Sequence, residues 1–252
     1  MDLFLVAEDA IWIGLLVFLR IAAIVSLLPA FGEQTVPMRI KLVIALAFTV
    51  IVAPAINIEP PPRTLDQIAL LTLTETLSGI LLGLGLRLFI MALQTAGTIA
   101  AQSTSLSQIL GGAAVEPLAA MGYILTVSAI ALAVMTGLHV KAAELMILSY
   151  SFLPLGLFAA GSDVATWGTA QISKAFSLAF VLAAPFVLIS VLYNLTLGVI
   201  NRAMPQLMVA FVGAPVITLG GLFVLFLAAP SMLSVWIEAL DGFMAAPFEM
   251  TP

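Results

Sequence analysis

The chain has no cysteine and a single histidine, His139. Without cysteine there can be no disulfide, thiolate nucleophile, iron–sulfur cluster or cysteine zinc site. With one histidine, neither a two-histidine metal motif nor a bis-histidine haem can form within one chain. Charge is also scarce: 8% of residues are charged, where a soluble domain carries about 25%. The 8 basic residues are scattered from Arg20 to Arg202 and form no patch, which argues against direct nucleic-acid binding. Several acids gather at the ends, with Asp2, Glu8 and Asp9 in front and Glu238, Asp241 and Glu249 behind. They read as solvated termini.

What the chain has in abundance is apolar surface. Of its 252 residues, 63% are hydrophobic, and the mean hydropathy is +1.23. Disorder needs the opposite composition. A bilayer, or a mainly apolar assembly, must therefore be the solvent. The first ten residues are acidic, whereas a signal peptide opens on a basic stretch. The apolar run that follows contains Arg20 and lacks a small-residue cleavage site, so a retained helix is expected there.

Hydrophobic runs divide the chain into about six segments. The first, 10–28, spans about 28 Å as a helix, close to one hydrocarbon core. Pro29 stops it, and 31–37 reads as a turn. A second run, 38–58, is kinked or ended near Pro54. Glu59-Pro60-Pro61-Pro62-Arg63-Thr64 reads as a stiff polyproline spacer, with Thr64 or Asp66 capping the next helix. That third run, 66–102, would make a helix of about 55 Å if unbroken. Gly79 and Gly83 form a G-x-x-x-G pair within it, which admits close approach by another helix. From Gln94 to Gln108 the chain turns polar and small. A fourth run covers 118–149, a linker 161–167, a fifth run 170–200 and a sixth 207–240. No strand alternation and no internal repeat is evident. The expected fold is all-α: an integral membrane protein of helical hairpins, without a soluble domain.

Ionisable residues lie inside these runs: Arg20, Glu75, Arg87, Lys141 with Glu144, and Lys174. A charge at the bilayer centre costs ~2.5–3.5 kcal/mol on insertion scales, so such groups face protein or water. Lys141 and Glu144, three apart, can pair with each other. Glu75 and Arg87 lie about 18 Å apart along a helix, so their partners must sit on other helices or chains. Two readings remain open on residues alone, an ion relay in a transporter and structural pairs in an assembly. His139 fits neither H-E-x-x-H nor any nucleophile motif and reads as a packed or capping histidine. Basic residues flank the spans on both sides, so orientation is not fixed by charge.

Several ordered motifs add a resemblance. Arg20 precedes Pro29-Ala30-Phe31-Gly32 and Pro37-Met38-Arg39-Ile40-Lys41. Gly83, Gly85 and Arg87 follow, then Gln94, Gly97, Gln102, Ser105 and Leu106. Gly137-Leu138-His139 and Ser151-Phe152-Leu153-Pro154-Leu155-Gly156 come next. The densest stretch is Asn194-Leu195-Thr196-Leu197-Gly198-Val199-Ile200-Asn201-Arg202-Ala203-Met204-Pro205-Gln206-Leu207, with Gly213-Ala214-Pro215 after it. Together these resemble the FliR family, including its virulence-type relatives, over nearly the whole chain.

The resemblance implies a subunit of a type III export gate in the bacterial inner membrane, part of the flagellar basal body. It implies FliP-like and FliQ-like partner subunits, an FlhB-like protein at the cytoplasmic side, and unfolded proteins in transit. It implies no cofactor, no metal and no enzymatic activity. Residues 1–164 would be the FliP-like part and 165–252 a FliQ-like helical hairpin. Family members have a plug-like loop, and by position 102–117 is the candidate here. Gln102, Ser105, Gly111 and Gly112 give it a polar, bendable backbone, and Leu106, Ile109 and Leu110 a dry seal. Glu116-Pro117 stands where many relatives carry Asp-Pro. Asn201, Arg202, Pro205 and Gln206 would form the hairpin turn near the cytoplasmic entrance. Arg20, Glu75, Arg87, Lys141, Glu144 and Arg202 are the candidate inter-helix or inter-subunit charges. The rivals are a virulence-type gate subunit, a monomeric secondary transporter, for which no broken-helix repeat is seen, and a membrane enzyme, for which no catalytic cluster is seen.

Overall fold

A computed structural model of the chain describes residues 2–56, 58–104, 120–204 and 209–249. Among the described residues seven helices follow in order: α1 (Asp2–Leu27), α2 (Met38–Val52), α3 (Leu65–Thr104), α4 (Ala120–Met135), α5 (Leu138–Phe152), α6 (Gly161–Ala203) and α7 (Val209–Ala245). A short 3-10 turn, Ala53–Ala55, extends α2. There is no strand among the described residues. Among the described residues, five helices are long and apolar enough to cross a membrane, giving up to six spans if α4 and α5 count as one bent segment. The fold is an all-α, multi-pass membrane architecture.

Local chemistry explains most of the ends. The helical conformation is disfavoured before Pro29, so α1 stops there. The chain then reverses through Ala30, at φ 70°, and Gly32, whose N–H donates to the Leu28 carbonyl at 2.7 Å. A Cβ on Gly32 would strike the Ser26 carbonyl, so glycine is required. α2 opens on Pro37, whose carbonyl accepts from Ile40 N–H at 2.9 Å, and Pro54 falls in the 3-10 turn that ends it. Inside the helices, Thr49, Thr74, Thr98 and Thr196 each donate their hydroxyl to the carbonyl four residues back. Such bonds satisfy a polar group in an apolar medium.

Four boundaries differ from the hydropathy reading. α3 runs unbroken for 40 residues, about 60 Å, through all four of its glycines. Packing on the bare glycine face outweighs their weak helix propensity. The fourth run is two helices, because the chain breaks at Thr136–Gly137. Gly137 takes φ 86°, and its carbonyl caps α5 by accepting from Val140 and Lys141 N–H. Residues 161–167 are helix, the first turns of α6, with Asp163 near its N-terminus. α7 continues to Ala245 through Pro215 and Pro230.

Contacts divide the chain into two compact units. The first comprises residues 1–88, 133–172 and 239–252, the second residues 89–132 and 173–238. In the first unit, Leu16, Ile21 and Ile24 of α1, Leu28 just after it, Leu82 and Leu86 of α3, and Leu145 of α5 are buried. An aromatic group of Phe152, Trp167, Phe243 and Phe248 closes this unit. Trp167 Nε1–H donates there to the Pro247 carbonyl at 2.8 Å. In the second unit, α3 and α4 cross where a Cβ on Gly97 would collide with Gly122. Trp236 Nε1–H donates to the Phe89 carbonyl at 2.9 Å, and Ser190 Oγ–H donates to the Ser103 carbonyl. Outside these cores, α6 exposes Phe176, Phe180, Leu188 and Leu195, and α7 exposes Phe223 and Phe226.

Candidate functional site

The chemistry of the first unit begins at the glycine pair of α3. Cβ atoms on Gly79 and Gly83 would meet α1 at the Arg20 carbonyl, Ala23 and Leu27. Two missing side chains thus let α1 lie against α3 almost backbone to backbone. That approach places the Arg20 side chain beside Glu75, one helical turn before Gly79. Arg20 Nε–H donates to Glu75 Oε2 at 2.8 Å and an Nη2–H to Oε1 at 2.9 Å, a bidentate pair. Both side chains are 0% exposed.

The remaining capacity of both groups is largely used. Arg20 Nη1–H donates to Ser149 Oγ at 3.2 Å, and Ser149 Oγ–H donates in turn to the Met146 carbonyl at 2.7 Å. The guanidinium also lies 3.9 Å over the Tyr150 ring centre. Glu75 accepts from Tyr150 Oη–H and from Gly156 N–H, each at 3.3 Å. One ion pair therefore ties α1, α3, α5 and the loop after α5. A buried charge pair is a poor source of stability, but it is very costly to half-remove. It acts here to fix register among three helices.

Further ion pairs and contacts serve the same unit. Arg87 Nη1–H donates to Glu33 Oε1 at 2.7 Å, both partly buried. Lys41 Nζ–H donates to the Gly32 carbonyl at 2.8 Å, and Phe31 stands edge-on to Phe48 with ring centres 6.3 Å apart. Together these pin the 28–37 turn to α2 and α3. Lys141 Nζ–H donates to both Asp241 carboxylate oxygens, at 2.7 and 2.8 Å, joining α5 to the end of α7. Arg63 pairs with Glu8 and Asp9 at an exposed position. Among the described residues, no group of three or more metal-binding side chains occurs.

Residues 11–243 match the family described as Bacterial export proteins, family 1. The chain belongs to this family. It is 32% identical over 232 residues to the flagellar biosynthetic protein FliR of Caulobacter vibrioides, covering 90% of this chain and 92% of that protein. It is 30% identical over 250 residues to FliR of Bacillus subtilis, covering 92% and 94%. With FliR of Escherichia coli K12 the identity is 29% over 203 residues, covering 78% and 76%. The chain is thus a multi-pass membrane component of the flagellar export system.

Within this export-family chain, the structure brings together some of the residues singled out from the sequence. Arg20 and Glu75 meet each other. Arg87 meets Glu33, which lies in the turn after α1 and which hydropathy gave no reason to select. Lys141 does not pair with Glu144, as their spacing suggested, but with Asp241. Asp241, one of the acids that read as solvated, stays partly exposed but is also held by Lys141, because the end of α7 belongs to the first unit. Glu144 is exposed on α5, and Arg202 and Asn201 are exposed in the last turn of α6. Arg202 there complements the negative end of the helix. His139 is exposed in the first turn of α5, not packed. Gln102 is exposed near the end of α3. Ser105, Leu106, Ile109, Leu110, Gly111, Gly112, Glu116, Pro117, Pro205 and Gln206 lie outside the described residues.

Proposed function

We propose that this chain is a channel subunit of the flagellar type III export gate, helping to form the conduit for unfolded flagellar proteins across the bacterial inner membrane. The observation that supports this most is the match to bacterial export proteins over residues 11–243, with flagellar FliR relatives covering nearly the same length. The arrangement of charges agrees with a passive, structural role. Arg20, Glu75, Arg87, Lys141 and Asp241 are each held by a partner within the chain. A relay would need groups free to exchange protons along a path.

In this reading the chain performs no catalysis and needs no cofactor. The long apolar faces of α6 and α7 meet FliP-like and FliQ-like neighbours as well as lipid, and an FlhB-like protein joins at the cytoplasmic side. Residues 1–164 correspond to a FliP-like part and 165–252 to a FliQ-like hairpin. Residues 102–117 act as the plug that closes the path, and energised arrival of substrate displaces it. Tagged purification from membranes tests the reading. FliP-like and FliQ-like chains are expected to co-purify, and deletion of 102–117 should leave that complex intact while raising ion conductance. A lone chain that binds a small solute would refute it.

A further inference from the structure

Beside the Lys141–Asp241 pair, the first unit has an open groove of about 530 Å³ between α5 and the end of α7. Ile147, Leu148 and Met244 make its wall, and Lys141, Asp241 and Glu144 its polar lip. Lys141 spends its charge on both oxygens of Asp241. Glu144 is left with no ion pair or hydrogen bond among the described residues. The groove therefore carries one uncompensated negative charge against an apolar wall.

Glu144 is exposed, but an apolar occupant of the groove would strip water from it, and a dehydrated carboxylate is costly unless a cation compensates it. From Lys141 to Leu148 the lip and wall run about 10 Å along α5, the length of two helical turns. We infer that this groove seats an apolar helix of a neighbouring subunit, and that one lysine or arginine on that helix pairs with Glu144. This rests on the assembly reading above and names the chemistry of one of its contacts. Lipid tails would satisfy the wall but leave Glu144 uncompensated, so a protein helix fits the groove better.

The absence of cysteine makes the test direct, because Leu148→Cys gives this chain a single thiol, and membranes with the unsubstituted chain report any labelling of other subunits. A benzophenone maleimide on that thiol is photolysed in membranes holding the full complex, and the adduct is mapped by mass spectrometry. The expected product is an apolar helix of a co-purifying subunit bearing a lysine or arginine near the attachment point. Glu144→Lys should lower the adduct yield tenfold or more, and changing the mapped cation to glutamate should restore it. Glu144→Asp should keep the adduct, while the distant exposed Glu59→Gln should change nothing. An adduct indifferent to Glu144→Lys, or a charge swap that fails to restore it, overturns the inference. Adducts to lipid alone, in a chain that still co-purifies with its neighbours, overturn the groove contact and spare the assembly. Absence of any co-purifying subunit overturns both.

Discussion

Replacing Arg20 or Glu75 by leucine tests whether this pair holds the helices in register. In Arg20→Leu, Glu75 stays buried with only two bonds, from Tyr150 and Gly156, both at 3.3 Å. In Glu75→Leu, the guanidinium keeps Ser149 and the Tyr150 ring but loses its counter-charge. Breaking a buried pair from one side costs about 3–5 kcal/mol. The double variant removes both charges. Ser149 keeps its bond to the Met146 carbonyl, so Tyr150 Oη–H and Gly156 N–H are the groups newly orphaned. At about 1–3 kcal/mol each, the double loss should be about 2–6 kcal/mol. Against summed single losses of about 6–10 kcal/mol, the midpoints leave a shortfall of about 4 kcal/mol, the mark of direct coupling. Reversible unfolding of the detergent-solubilised chain, followed by tryptophan fluorescence, gives the three differences. If the double variant loses the sum of the singles within about 0.5 kcal/mol, the two groups do not act as a pair and the argument fails.

Two further tests address the close packing. Gly79→Ala places a Cβ against the Arg20 carbonyl and Ala23, so α1 must move and the same unfolding assay should report a loss of about 1–3 kcal/mol; Gly14→Ala, with nothing within 4 Å of its Cβ, should instead gain about 0.5–1 kcal/mol from helix propensity. Trp236→Phe removes the donor that meets the Phe89 carbonyl and should cost about 1–3 kcal/mol, read in the second unit as faster amide exchange on the flanking turns of α3 and α7.

The glycine pair of α3 was legible in the sequence as a site of close approach. Its partner was not, because G-x-x-x-G describes one surface and says nothing about which helix covers it. The same limit applies to the charges. Glu75 and Arg87 were visibly too far apart to meet, so partners elsewhere were required. That the partners are Arg20 and Glu33 follows only from how α1 and its turn lie on α3. The break at Gly137 was hidden for another reason. Hydropathy is continuous across residues 118–149, and a left-handed glycine leaves no trace in an apolar average. The pairing of Asp241 with Lys141 was hidden because nothing in the spacing of an acid near the chain end points to a lysine 100 positions away.

Composition by itself determined the solvent, the helical class and the obligation to neutralise interior charge. Those are local or average properties, set by 63% hydrophobic residues and 8% charged ones and by the need to satisfy every backbone group in an apolar medium. The ordered motifs pointed to the export family, and the family match agrees. Only the tertiary structure decided which charges meet. Arg20 reaches Glu75 across 55 positions and Ser149 across 129, separations that no helical period encodes. It also decided which charge is left over: among the described residues Glu144 has no partner, while Asp241 of α7 takes Lys141.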